Sequence, residues 1–495
     1  MNGSRRATDP ARLALSALVA VLLTAVVSAG PAHAAAGLPG EPANVAKSLE
    51  RPTLDGGVGG GQVTSLLTSP GNVLGAVAEQ LADPQRLFIT NVCGSGIAFC
   101  QGDVRLSRWA ENGYGLVEQV RYTARNGAVI NGHVWATRAG APQRPVVAIT
   151  PGSVQASEQL YWFAAQVLAK AGYVVLTHDD QQQGGSGALG AGPDLLAGFP
   201  AQLVPTTFFD GTQDAIDFAL STPSTPYCPR PSRTGVEPCA GAPVVSNPFA
   251  GIVDQQAKVG LAGHSYGGFG VSYVGQQDPR VGAVVAWDNL CVPGGGPTLY
   301  SVPNVVNGVL GNNLPAVCPT GSQPPVPALR TPALGISGDY LLAPTPYLAP
   351  PDPLAKSTAS LALTAAGVDT GQIIVRGATH YDFSSGAAFP ATLRGLDLTS
   401  WYTTAWFDKY LRGDRGADAR LLTTRWRADP LGAAVDTRGD GNDFSYHYRS
   451  RLDIRDAAGA RVRCENLREG CPHLQPDGAP DPYSFLPVVT TKDTG

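Results

Sequence analysis

Three polar residues in the middle of the chain belong to types that do covalent chemistry together. Ser265 sits in Gly263-His-Ser-Tyr-Gly-Gly268, directly after the apolar run Lys258-Val-Gly-Leu-Ala262 and ahead of a stretch that can begin a helix. A strand that turns abruptly into a helix strains its turn residue and lifts that side chain above the sheet. Small neighbours at Gly263 and Gly267 let the two elements approach. A serine hydroxyl is a weak nucleophile until a base takes its proton and a carboxylate orients that base. His380, in Gly377-Ala-Thr-His380, supplies an imidazole, and Asp339, in Gly335-Ile-Ser-Gly-Asp339, supplies a carboxylate. Asp288, in Ala286-Trp-Asp-Asn289, is a rival acid at another strand end. His264 flanks the serine and points away from it, which suits a packing residue better than a base. The oxyanion of acyl transfer needs two fixed backbone donors. The amide of Tyr266, right after the serine, is one; that of Ser153, in the loop Thr150-Pro-Gly-Ser153, is the other. In a chain with 60 Gly the serine motif arises by chance, so the elements around it must carry the assignment.

Those elements alternate. Leu116–Thr123 and Ala128–Thr137 flank Arg125-Asn126-Gly127, a strong hairpin signal. Strands are then predicted at Pro145–Thr150, Tyr173–Thr177, Lys258–Ala262, Val281–Ala286, Ala333–Ser337 and Ile373–Arg376. Helices are predicted over Ser157–Ala171, Asp210–Leu220 and Leu396–Leu411. Alternation of this kind implies an α/β class, with a mostly parallel sheet, an antiparallel hairpin at its start and helices on both faces. Ser265, Asp339 and His380 would then stand on loops at the C-terminal ends of successive strands, where such folds bind ligands.

At 495 residues the chain has room for one large domain with extensions. Arg5, Arg6 and Arg12 precede the apolar stretch Leu13–Val27 and the small-x-small site Ala32-His33-Ala34, the pattern of a secretory signal peptide over 1–34. Residues 1–34 hold three Arg and one Asp, so without them the formal net charge moves from −4 to −6, which does not suit a nucleic-acid partner. No later stretch is long and apolar enough for a membrane span. All eight Cys follow residue 34, in four pairs close in sequence: Cys93 with Cys100, Cys228 with Cys239, Cys291 with Cys318, and Cys464 with Cys471. An oxidising compartment favours these four local bridges over zinc, because Cys-x-x-Cys is absent. Residues 35–112 read as a Gly-rich N-terminal extension, 113–424 as the catalytic domain and 425–495 as a small β extension. Insertions at 221–247 and 291–329 each carry one Cys pair, the second expected to overhang the site.

With these residues in view, the chain resembles the secreted bacterial α/β-hydrolases related to platelet-activating-factor acetylhydrolase and to cutinase-like polyester hydrolases. The likeness rests on Val253–Gly268, Pro151-Gly152, Trp287-Asp288, Gly338-Asp339 and Thr379-His380, and spans roughly residues 115–415. The resemblance implies an α/β-hydrolase fold, in which the order Ser265, Asp339, His380 is the usual one, and a serine esterase or lipase that works through an acyl-enzyme without cofactor or metal. It implies that Ser265, Asp339 and His380 form the triad and that Asp288 is not catalytic. It also implies that Ser153 gives an oxyanion amide and that Trp287 walls the acyl pocket. Unlike this chain, the compact polyester hydrolases lack both Cys-bearing insertions and the long extensions, so small-molecule or lipid-like esters are the expected substrates of a secreted monomer. An acyltransferase using the same triad and an inactive binding module on the same fold are the alternatives. Asp436–Asp443 is read as an acidic turn rather than a calcium loop because Arg438 stands where an oxygen ligand is wanted. His178-Asp179-Asp180 is read as a loop bonding its own backbone rather than a metal site.

Overall fold

The computed structural model describes residues 114–476 apart from 126, 154–156, 188–204, 230–243, 289, 294–317, 319–325, 339–352, 377, 379, 385–390, 392, 425–443, 446–447 and 472–474. Gly115–Thr123 (β1) and Val129–Thr137 (β2) form the predicted hairpin, paired antiparallel from Gly115 opposite Thr137 to Thr123 opposite Val129. Gly127, at φ 88°, takes the left-handed turn position that side chains avoid. Arg125 ties this turn down: its guanidinium lies 2.9 Å from Asp214 and 3.5 Å from Asp210, both on the helix beneath.

The parallel strands follow as Val146–Thr150 (β3), Val174–His178 (β4), Val259–His264 (β5), Val281–Trp287 (β6), Ala333–Gly338 (β7) and Thr370–Val375 (β8). Thr423–Thr424 (β9) pairs apart from them with Gln475–Pro476 (β12). Arg451–Arg455 (β10) and Arg461–Cys464 (β11) complete a ten-stranded sheet in the order β1-β2-β4-β3-β5-β6-β7-β8-β10-β11. Pairing is parallel from β4 to β8 and antiparallel at both flanks.

Helices cover both faces, as the apolar stripes require. Trp162–Lys170 (α1) follows a short 3-10 turn at Glu158–Tyr161, and Gly172, at φ 101°, ends it. Pro205–Ala219 (α2) starts five residues earlier than the stripe suggests. Proline suits a first helical turn, where no backbone donor is needed. Tyr266–Gln277 (α3), Thr358–Ala365 (α4), Leu393–Arg412 (α5) and Ala417–Leu421 (α6) follow. Phe163, Val167, Leu168, Trp401, Tyr402 and Trp406 close one face of the sheet over Val147, Val285 and Ile336. Ala215, Ile216, Val271 and Val274 close the other over Leu176, Leu261 and Val284.

The C-terminal region contains strands. Two of its strands extend the main sheet, β10 pairing with β8 over Thr370–Gln372, while β12 pairs with β9 apart from it. Buried Leu452 and Ile454 join the same core, which is why the segment docks there. Cys291–Cys318 and Cys464–Cys471 are bridged as predicted. Cys93, Cys100 and Cys239, the signal segment, the Gly-rich extension and the acidic turn at 436–443 lie outside the described residues. Among the described residues no helix is long and apolar enough to cross a membrane.

Candidate active site

Register aligns the strand ends that carry the predicted chemistry. Thr150 pairs with Gly263, His264 with Trp287 and Trp287 with Ile336, so the loops after β3, β5, β6 and β7 leave the sheet along one row. Ser265 stands at the turn between β5 and α3 with φ 57° and ψ −118°, a strained conformation for a residue with a side chain. The glycines around it hold this turn tight. A Cβ on Gly263 would lie 2.4 Å from the carbonyl oxygen of Gly267, and one on Gly267 would lie 2.3 Å from those of Thr150 and Pro151. The Ser265 amide donates to the carbonyls of Trp287, at 2.9 Å, and Asp288, at 3.1 Å. Tyr266 opens α3, and first-turn amides point out of a helix N-terminus. Ser153 is partly exposed on the loop after β3, and a Cβ on its neighbour Gly152 would come within 3.1 Å of Ser265 Cβ.

Among the described residues, the carboxylate that meets the imidazole is that of Asp288, the rival acid. Nδ1 of His380 lies 2.6 Å from Oδ2 of Asp288. Asp339, expected as the acid, lies outside the described residues. The resemblance, with its order Ser265, Asp339, His380, favoured Asp339. Asp288 directly follows β6 as Ser265 directly follows β5, level with it in register, and its φ of 32° marks a sharp turn at the strand end. Burial pushes the Asp288 carboxyl up. The His380 hydrogen bond and charge, with Lys356 further off, outweigh that and hold it below the usual carboxylate range. Oδ1 of Asp288 is buried with no hydrogen-bond partner among the described residues. Lys356 was missed in the sequence, where it sits in an unmarked polar stretch; its ammonium bonds the Gly338 carbonyl.

Trp287 also differs from expectation. It does not wall a pocket: the side chain is fully buried, its indole N–H donates to Thr403 Oγ1 at 3.0 Å, and its ring packs near Tyr161 and Phe163. Strand alternation puts 283, 285 and 287 on the face covered by α1 and α5, which is core. His264 is buried as predicted, but it is also hydrogen-bonded at both ring nitrogens. Burial first, then the charge of His380, drives its pKa down to about 3, so the ring stays neutral.

Asp179, after β4, accepts hydrogen bonds from the amides of Glu158, at 2.7 Å, and Gly185, at 2.7 Å. Burial and the charge of Glu158 push it up to about 6. His178 is buried with neither ring nitrogen partnered among the described residues, and burial lowers it to about 4. No three ligating groups among the described residues stand close enough together to hold a metal ion.

Ser265 is tied through its amide to the carbonyls of Trp287 and Asp288, and Asp288 in turn meets His380, so a hydroxyl, an imidazole and a carboxylate, the group types that acyl transfer uses, lie on linked loops. Comparison with protein-family models and with curated proteins gives no match.

Proposed function

We propose that this chain is an exported serine hydrolase of the α/β-hydrolase fold that cleaves carboxylic esters. The His380–Asp288 pair, on the loops flanking Ser265, is the observation that carries this reading. With Nδ1–H donated to Asp288, the Nε2 lone pair of His380 serves as base. It takes the Ser265 Oγ proton as that oxygen bonds to the ester carbonyl carbon. The amides of Ser153 and Tyr266 receive the oxyanion. Collapse expels the alcohol, protonated by His380, and leaves an acyl-serine. Water then attacks with its proton passing to His380, and the acid departs. The strand order β1-β2-β4-β3-β5-β6-β7-β8 and the disulfides support the fold and the exported setting.

A fluorophosphonate probe tests the reading directly. Wild type is expected to label at Ser265 and to hydrolyse short p-nitrophenyl esters, and Ser265→Ala to do neither. Equal labelling of the two proteins would place the nucleophile elsewhere.

A further inference from the structure

Four hydrogen bonds join the two loops that the proposed reaction must hold in register. The Gly152 amide donates to Tyr161 Oη at 3.0 Å, and Gln183 Nε2 donates to the Gly152 carbonyl at 2.8 Å. Tyr161 Oη also lies 2.9 Å from His264 Nδ1, and His264 Nε2 lies 2.8 Å from the backbone carbonyl of His380. A carbonyl only accepts, so His264 carries its proton on Nε2. A neutral ring then presents a lone pair at Nδ1, which accepts a hydrogen bond from the Tyr161 hydroxyl, and the hydroxyl oxygen in turn accepts from the Gly152 amide. Every donor and acceptor in this chain is used once and in one direction.

Tyr161, Gln183 and His264 are all buried, so water does not compete for these bonds. Gly152 precedes Ser153, whose amide is assigned to the oxyanion, and the His380 carbonyl belongs to the base itself. The His264 and His380 rings also lie 4.5 Å apart between centroids, which leaves the base little room to tilt.

We propose that His264, acting through Tyr161, is a positioning residue that sets the oxyanion loop and the His380 loop relative to each other. It touches neither substrate nor the transferred proton, and its role rests on the ester-hydrolase reading above. A misplacement of about 1 Å at a reacting centre costs about 100-fold in rate. Losing the strut should therefore lower kcat far more than it raises KM.

The test compares His264→Leu, His264→Gln, Tyr161→Phe and the Tyr161→Phe/His264→Leu double variant. Readouts are p-nitrophenyl butyrate hydrolysis, normalised to fluorophosphonate-titrated sites, and thermal melting. His264→Leu and Tyr161→Phe should each lower kcat about 30- to 100-fold with KM within about threefold. The double variant should be no slower than the worse single, because both break one chain. His264→Gln keeps a donor for the His380 carbonyl and an acceptor for Tyr161, and should recover to within about fivefold of wild type. Unchanged kcat per titrated site in Tyr161→Phe, which removes one hydroxyl and keeps the ring, would overturn the proposal even if His264→Leu fails to fold. So would kcat losses that multiply in the double variant. A wild type that neither labels nor hydrolyses would instead sink the ester-hydrolase reading, and this one with it.

Discussion

Nδ1 of His380 and Oδ2 of Asp288 stand 2.6 Å apart, with Asp288 fully enclosed and His380 partly open to solvent. A buried carboxylate facing Nδ1 favours the tautomer with the proton on that nitrogen, which makes Nε2 the acceptor of the ring. Asp288→Asn should keep the fold but present the wrong tautomer, and lower kcat by about 10⁴-fold. Asp339→Asn should stay within about threefold of wild type. Steady-state kinetics on both variants checks this, and the reverse ranking would return the role to Asp339.

The same pair has a pH signature in stability. The folded carboxyl of Asp288 lies below its usual range, so folding favours its ionised form. This stabilisation is present above the unfolded carboxylate pKa and is lost as pH falls through the lower folded value. Denaturant unfolding of wild type and Asp288→Asn should therefore show their stability difference shrinking toward pH 3. A constant difference would contradict it.

His178 pulls in the same direction at milder pH. Its folded pKa is lowered to about 4, so between there and the ordinary histidine value the unfolded chain binds the extra proton and stability falls on acidification. The full penalty for one such group is about 1.4 kcal/mol per pH unit. Replacing His178 with Leu should flatten the decline between pH 6.5 and 4.5 relative to wild type, measured by urea midpoints at each pH. Parallel curves would show that His178 does not titrate on unfolding.

Gly267 separates α3 from the loop after β3 by backbone contact alone. A methyl group there has backbone oxygens 2.3 Å away and no flexible side chain to displace. Gly267→Ala should cost at least about 2 kcal/mol and reduce activity by shifting the serine turn. Chemical denaturation and probe labelling measure both.

The Cys291–Cys318 bridge closes a segment 27 residues long, beginning three residues after Asp288. Paired Ser substitution should cost about 3 kcal/mol through the freed unfolded chain. It should also lower kcat, because the β6 exit turn that aims Asp288 loses its anchor. A Tm drop with unchanged kcat would mean that the turn holds by itself.

Much of this was legible in the residues. Alternation and period gave the hairpin, the parallel strands and the two helix faces, because Val-rich runs and Leu/Trp stripes have few other ways to be buried. The serine turn was readable because Gly263 and Gly267 fit so few other arrangements. The acid was not. Asp288 and Asp339 both follow strands, and local sequence does not say which side chain reaches the imidazole; the contact of Asp288 with His380 is a property of how the loops fold back over the strand ends. The pocket-wall role of Trp287 came from the resemblance alone, and strand phase puts its side chain in the core instead. The Tyr161–His264 strut left no trace in spacing, since its members lie 103 residues apart.

The docking of Arg451–Arg455 along β8 has a consequence for how the chain can be shortened. It makes the strand leading to the histidine an interior one, with ladder partners on both sides. A polypeptide cut before this segment would leave β8 with a bare row of amides and carbonyls. Such an unguarded border recruits strands from other molecules, so self-association, rather than simple loss of catalysis, is the failure that truncation invites.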